Sequence, residues 1–430
     1  MPAEMLLHYL WEHRLWNYGA LQTDDGLKVE VIDPGKHNLD SGPDFFNAKV
    51  KIGNRLWAGN VEIHTKASDW FRHGHQTDPA YQSIILHVVG HSDSQIKRPD
   101  GNVIPQVVLP YTPDFRARYD SFVENKSPLG CGKDLATLPP VYISDWISAL
   151  GYERLYSKVD RINTYLNRLN GNWMEVAYVT LARALGFSTN AEPFERLAFS
   201  TPLHCLLRHR NDSRLVEAAL FGQAGFLDQL PAQPEDVLYL EELRMNYGFF
   251  KSKFDLQPIE SPGWKLARMR PPNFPHRRIA ALHSAICNGF AFGRGFSHIT
   301  SVDDARKLFD VHLDGYWQNH YNFGGPAAIS PRAFSQETVN SLIINAVVPL
   351  LYAYGLYFAS DSRMETALEI LQSLPPEHNT LTRIFTDLGI ECTDAFASQA
   401  LIQLRRAYCE PRKCLFCRIG HRLLAAKARP

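Results

Sequence analysis

The chain has no excess charge of either sign: 45 Lys and Arg balance 45 Asp and Glu over 430 residues. Net charge alone therefore suggests no partner. Cysteine is scarce, seven residues in all, and four of these are scattered. That is too sparse for the disulfide framework of a secreted scaffold, so a reduced, cytoplasmic protein is expected. No secretory leader is expected either, because MPAEMLLHYLWEHRLW carries charges through its apolar run. A fixed-period repeat is missing, which removes a solenoid. One long uncharged run exists, residues 338–360, and its length would cross a bilayer. Asn340 and Asn345 would be costly in lipid and Pro349 would kink it, so a buried central helix and no membrane partner are expected.

What is present is an ordinary globular composition, 45% hydrophobic and 12% aromatic, in a chain long enough for two or three domains. Residues 4–17 read as an amphipathic helix with Leu6, Leu7, Leu10 and Trp11 on one side. Strand patterns follow at 27–32, 45–52, 56–66, 83–90 and 103–109, with a short helical turn at 79–82. In 45–52, strict alternation puts Phe46, Ala48, Val50 and Ile52 on the apolar face. From residue 140 the strand signal fades. Helical patterns cover 142–166, 173–185, 193–208, 235–254, 277–289, 338–358 and 393–407. The expected organisation is an α/β domain over 1–115, a larger mainly α-helical domain over 140–400, and a basic cysteine-rich tail over 401–430.

The chemistry concentrates in residues 41–70. On a strand, residues two apart share a face, so Asn60, Glu62, His64 and Lys66 form one polar row. A hairpin through Gly53-Asn54 brings Asp44 to it. Two carboxylates suit a hard cation, Mg2+ or Mn2+. Such a metal polarises a phosphoryl oxygen and acidifies its bound water, which His64 or Lys66 would orient. His73, His75 and Asp78, in HGHQTD, have ligand-like spacing for zinc or manganese, and read otherwise as a polar loop. His87, inside the apolar SIILHVVG, is expected to be a core histidine with a hydrogen-bonded ring. The basic loop 268–278 reads as a solvated connection. In the tail, Cys409-x4-Cys414-x2-Cys417 with His421 predicts a structural Zn2+ site, with Cys392 as an alternative fourth ligand and buried free thiols as the other reading.

Pro43-Asp44 followed by Glu62-Ile63-His64 resembles the signature of the PD-(D/E)XK nuclease superfamily, with His where that superfamily usually has Lys. The resemblance implies a restriction-endonuclease-like α/β fold of helix, three-stranded meander, helix and further strands. It also implies DNA or RNA as partner and a glutamate on the first helix, where Glu12 stands. Over most of its length the chain resembles a bacterial family known only as a domain of unknown function, through the phrases GPDFFNA, GNVEIH, SDW, HGHQTD and LHVV. The expected activity is that of a metal-dependent nuclease or phosphodiesterase with Asp44, Glu62, His64, Lys66 and Glu12 in the site. The alternatives are an inactive nuclease-fold protein that only binds nucleic acid, and a metal-dependent hydrolase of another substrate.

Overall fold

The computed structural model describes residues 3–16, 21–38, 40–98, 100–111, 113–228, 235–259, 263–288, 298–326, 328–330 and 332–425. The chain forms two compact units. One joins Met1–Trp146 to Leu404–Pro430, and the other is Ile147–Gln403. A sheet region thus comes first and a mainly helical region follows.

In the first unit, helix α1 (Ala3–Glu12) buries Leu6, Leu7, Leu10 and Trp11. It ends five residues before the expected boundary because the chain turns left-handed. Arg14 takes φ +52°, and Leu15 N–H bonds back to Leu10 O at 2.9 Å, closing a Schellman-type turn. Strands β1 (Leu21–Gln22), β2 (Lys28–Asp33), β3 (Lys36–His37), β4 (Phe45–Ile52), β5 (Arg55–Lys66), β6 (Ile84–His91) and β7 (Gln106–Val108) form one mixed sheet. Its order is β1-β2-β4-β5-β6-β7, with β3 beside β4. β2, β4 and β5 are an antiparallel meander, whereas β5, β6 and β7 run parallel. A parallel pair requires a crossover. Here it consists of helix α2 (Asp69–Arg72), the HGHQTD loop and a 3-10 turn at Pro79–Ser83. Helix α1 packs on β5 and β6. Gly90 permits the approach, since a Cβ there would lie 2.9 Å from Thr65 O and 3.3 Å from Leu7 Cδ1.

The alternation expected for β4 breaks at one residue. Asn47 sits at φ +57°, and pairing slips between Phe45 and Ala48, a β-bulge. The extra residue reverses the parity upstream of it. Phe45, fully buried, therefore joins Ala48, Val50 and Ile52 on the core face, and Phe46 is only half-buried.

The second unit encloses the largest apolar core, built from helices that include Trp173–Leu185, Ser213–Gln223, Glu235–Phe254 and Pro275–Cys287. The helix expected over 193–208 is two, Ala191–Ser200 and Leu203–Leu207. Pro202 disfavours a helical conformation in the residue before it, and Thr201 accordingly leaves the helical region at φ −129° and ψ 77°. The apolar run folds as Gln336–Tyr357, the one helix among the described residues long and apolar enough to cross a membrane. Most of it is buried within this unit. It passes through a π-turn at Ile343–Val347, where the buried Lys158 ammonium donates to Ile344 O at 3.2 Å and Asn345 Oδ1 at 2.9 Å.

Candidate metal centre

The site grows from the bulged end of the β4–β5 hairpin. Asp44 precedes β4, and Phe45 pairs with Val61. That register lets the two carboxylates lock the strands reciprocally. Asp44 N–H donates to Glu62 Oε2 at 3.2 Å, and Ile63 N–H donates to Asp44 Oδ2 at 2.8 Å. Each carboxylate keeps an oxygen for other partners. The polar row on β5 is not solvated: Glu62 is 4% exposed and His64 1%. Lys66, two residues on, is exposed and forms no ion pair with Asp44 or Glu62.

The crossover loop leaves β5 just past His64 and returns over it. Trp70 anchors the return by packing with Ile84, Ile96 and Ile104. His73 then reaches His64, Nδ1 to Nε2 at 3.2 Å, and His75 Nε2 comes to 3.2 Å from Glu62 Oε1, with its ring stacked on Tyr81 at 3.8 Å. One nitrogen each from His64, His73 and His75 lie within 4.8 Å of one another, the only such group of three potential ligands among the described residues. Asp78 stands apart from these nitrogens; its carboxylate caps the next turn, accepting from Ala80 N–H at 2.9 Å.

A relay fixes which nitrogen of His64 faces the cluster. The Gln106 amide NH2 donates to Asp24 Oδ2 and Ser92 Oγ, both at 2.8 Å, and Ser94 O at 3.1 Å. Its oxygen must then accept, at 2.8 Å, from His87 Nδ1. Neutral His87 is left with an accepting Nε2, which receives the Nδ1–H of His64 at 2.8 Å. The His64 Nε2 lone pair is thereby aimed at His73 and at Glu62 Oε1, 3.6 Å away. A hydrogen bond behind a histidine that selects its tautomer is the usual support of a metal ligand. His87 is thus both the hydrogen-bonded core histidine expected from sequence and a link to the site.

Helix α1 contributes residues the sequence reading did not single out. His8 Nε2 lies 3.4 Å from Asp44 Oδ2, and Glu4, one turn earlier, is in electrostatic range of both. The Glu4–His8 pair, four apart on the helix, was the available signal. Glu12 sits one histidine further out, its Oε2 3.8 Å from His37 Nδ1, with the His37 ring 5.4 Å from that of His8.

The electrostatics are those of buried groups waiting for charge. Burial first, then the Asp44 carboxylate, pushes Glu62 up to about 9. Burial and the surrounding imidazoles of His87, His75, His73 and His8 push His64 down to about 2, so it is neutral. Burial lowers His87 to about 4 and also lowers His75. His8 goes the other way. Burial opposes its charge, but the hydrogen bond to Asp44 and its negative charge prevail, and its pKa is raised. The His8 and His75 Nε2 atoms are buried without a well-aligned hydrogen bond. Three converging imidazole nitrogens, with Glu62 Oε1 3.2 Å from that of His75 and 3.6 Å from that of His64, are donors of the kind a borderline divalent ion such as Zn2+ or Mn2+ prefers.

In the tail, Cys409, Cys414 and Cys417 belong to this same unit, and Cys392 to the other. His421 Nδ1 lies 2.7 Å from the Tyr9 hydroxyl, with its ring against His13.

The family described as "Protein of unknown function (DUF2851)" matches residues 4–380, and the chain belongs to it. No curated protein and no solved structure matches the chain.

Proposed function

We propose that this family member is a metal-dependent phosphodiester hydrolase acting on nucleic acid. The observation that carries the proposal is the convergence of the His64, His73 and His75 nitrogens within 4.8 Å, with Glu62 Oε1 3.2 Å from His75 Nε2. In this reading Glu62 and the three histidines hold the cation, and Asp44 ligates it or its water. The metal supplies Lewis acidity and a water of lowered pKa. Of the cations expected, Mg2+ and Mn2+, the imidazole-rich set suits Mn2+, and it suits Zn2+ as well.

Nucleic acid as substrate is supported by the PD-(D/E)XK resemblance. The order helix, three-stranded meander, crossover helix and parallel strand is the order that a restriction-endonuclease-like domain has. A neutral His64 cannot stand in for the usual lysine. Lys66 is exposed, while His8, facing Asp44 with a raised pKa, is the better placed cation. His8 would protonate the leaving oxygen or balance charge on the phosphorane-like transition state.

The test is cleavage of single- and double-stranded DNA and RNA with Mg2+, Mn2+ or Zn2+ supplied separately. Cleavage with Mn2+ or Zn2+ that Glu62→Gln abolishes supports the proposal. Metal-independent binding without cleavage would replace it by an inactive nucleic-acid-binding protein. A second reading rests on the imidazole-rich ligand set, which is more typical of zinc hydrolases than of magnesium nucleases: a hydrolase of another substrate. Metal binding with neither cleavage nor affinity for any nucleic acid selects it.

A further inference from the structure

The tail cysteines have a fourth companion that the sequence hides, 278 residues upstream of Cys409 by residue number. Cys131 follows α3 (Pro113–Val123), and its thiol is in electrostatic range of those of Cys414 and Cys417. Cys409 is in electrostatic range of all three. The backbone brings them together by specific bonds. Arg412, at φ +56°, donates through Nη2 to Ser127 O at 2.9 Å and to Asn125 O, and Arg405 donates to Pro128 O. The segment leading into Cys131 is thus laced to the cysteine loop. Helix Arg418–Ala425 closes down on the Cys414 turn because residue 420 is glycine; a Cβ there would lie 2.1 Å from Cys414 O.

The surroundings suit thiolates. The Ile419 and Gly420 N–H groups face the Cys417 sulfur. Trp146, 6% exposed, buries an indole N–H that has no well-aligned hydrogen-bond partner and faces the same sulfur. Arg405 stands beside Cys409 and Arg412 beside Cys414, cations that offset the negative charge of a four-thiolate site. None of the seven cysteines is in a disulfide.

We propose that Cys131, Cys409, Cys414 and Cys417 hold an iron–sulfur cluster that fastens the cysteine loop of the tail to the segment around Cys131 within the first unit. All four donors are thiols, a set that either one zinc ion or a cluster accepts, with His421 engaged by Tyr9 and His13. Two features select a cluster over one zinc ion. The C-x4-C-x2-C run has the spacing of a known cluster type, whose fourth cysteine follows the run where here Cys131 precedes it. No three of the sulfurs lie within 4.8 Å of one another. A single zinc, with bonds near 2.3 Å, would hold its sulfurs at about 3.8 Å, and a polynuclear cluster spans more. The role assigned is structural: a link between residues 131 and 409 closes the very long loop that contains the whole helical unit.

The experiment uses the full chain, produced with iron supplied and purified without oxygen, and measures iron, zinc, acid-labile sulfide and visible absorption. Iron with labile sulfide, at least two of each per chain, is expected. Zinc at one per chain without sulfide, or neither metal, overturns the proposal. Cys131→Ser should lose both iron and sulfide while Cys392→Ser keeps them; iron and sulfide retained in soluble Cys131→Ser overturns it. Should Cys131→Ser prove insoluble, alkylation of the wild-type protein decides. The four cysteines should be protected and Cys392 labelled, and the four should become labelled once the cluster is oxidatively destroyed. Labelling of any of the four with iron and sulfide still bound overturns it.

Discussion

The two units bury charge in opposite ways. In the helical unit most prominent buried charges are spent on hydrogen-bond partners; Arg278, whose Nε and Nη1 have none, lies instead over the Phe187 and Phe334 rings. Glu175 accepts from the Leu203 and His204 N–H groups at 2.9 and 3.0 Å. Glu217 takes Trp317 Nε1 at 2.6 Å, Arg214 Nη1 at 2.8 Å and the Tyr239 hydroxyl. Arg277 donates to Trp317 O and Ser330 O, both at 2.8 Å. Even His276, whose nitrogens have no partner, lies among aromatic rings, 3.9 Å from Phe226, and packs as one of them. In the sheet unit the buried polar atoms converge on one another: carboxylate on carboxylate, imidazole on imidazole. Burial of charge therefore does not mark a site by itself. What marks it is buried valence left unspent and aimed at a shared point.

The largest effects should fall where valence is unspent. Glu62→Gln and His64→Ala each remove a ligand, and each should lower metal-stimulated cleavage by roughly 1,000-fold or more, as loss of a charge-stabilising group does. Calorimetry should show the metal binding strongly weakened with them, and circular dichroism should show the fold kept in Glu62→Gln. Glu217→Gln, equally buried in the helical unit, should leave metal binding unchanged. If Glu217→Gln and Glu62→Gln behave alike, the contrast between the units fails.

Lys158 sharpens the other side of the comparison. Its ammonium serves three acceptors, Ile344 O, Asn345 Oδ1 and Gln399 Oε1, the last at 2.7 Å. Lys158→Ala takes this donor from Ile344 O and Asn345 Oδ1 in a buried place, while Gln399 Oε1 keeps Arg154 Nε at 3.2 Å, and the loss should cost about 2–4 kcal/mol. Urea titration would show a lower midpoint, and metal affinity should not move. An unchanged midpoint would mean that the π-turn does not need the ammonium.

Much of this was legible in the sequence, and the failures have physical causes. The bounds of long helices such as Trp173–Leu185 and Glu235–Phe254 are read directly from the sequence. The Asp44–Glu62 approach follows from a hairpin turn and strand alternation, which are local rules. Phe45 was misassigned because a bulge at Asn47 adds one residue and reverses parity, which alternation cannot reveal. His8, Gln106 and Cys131 were missed for a different reason. Each reaches its cluster across the chain, and only the tertiary fold supplies that distance.

The pH dependence of metal binding tests the charge assignment. The Glu62 carboxyl, raised to about 9, holds a proton that a cation must displace. Affinity should therefore rise as pH increases from 7 to about 9, by up to roughly tenfold per unit, and level off beyond. His64, lowered to about 2, is neutral throughout and adds no slope. Glu62→Gln should bind weakly with no slope from this group. Stability of the metal-free chain has the opposite sign. A folded pKa raised above the unfolded value gives stabilisation that is complete below about 4.5 and lost as pH rises through about 9. Thermal unfolding with and without metal across pH 6–9, run on wild type and Glu62→Gln, would separate the two. Affinity flat in pH for wild type would remove Glu62 from the ligand set.

The smallest effect, and the one most specific to the sheet unit, belongs to Gln106, which touches neither metal nor substrate in this scheme. Its role is to position His64 through His87. With the amide NH2 committed to Asp24, Ser92 and Ser94, the amide oxygen accepts from His87 Nδ1 and so dictates both tautomers. Gln106→Leu has nearly the same volume but removes that oxygen. His87 then chooses its tautomer freely, and His64 presents its Nε2 lone pair only part of the time. Metal affinity should fall by about tenfold, the lower end of what outer ligand partners contribute. A role in packing alone predicts a loss of stability with affinity intact, so calorimetric metal binding must be read beside the unfolding midpoint. Gln106→Glu supplies the conservative control: a carboxylate accepts from His87 Nδ1 as the amide oxygen does, and affinity should recover toward wild type even though the bonds to Asp24 and Ser92 are lost. If Gln106→Glu is as weak as Gln106→Leu, the relay does not set the His64 tautomer, and His64 is oriented by His73 and the crossover loop instead.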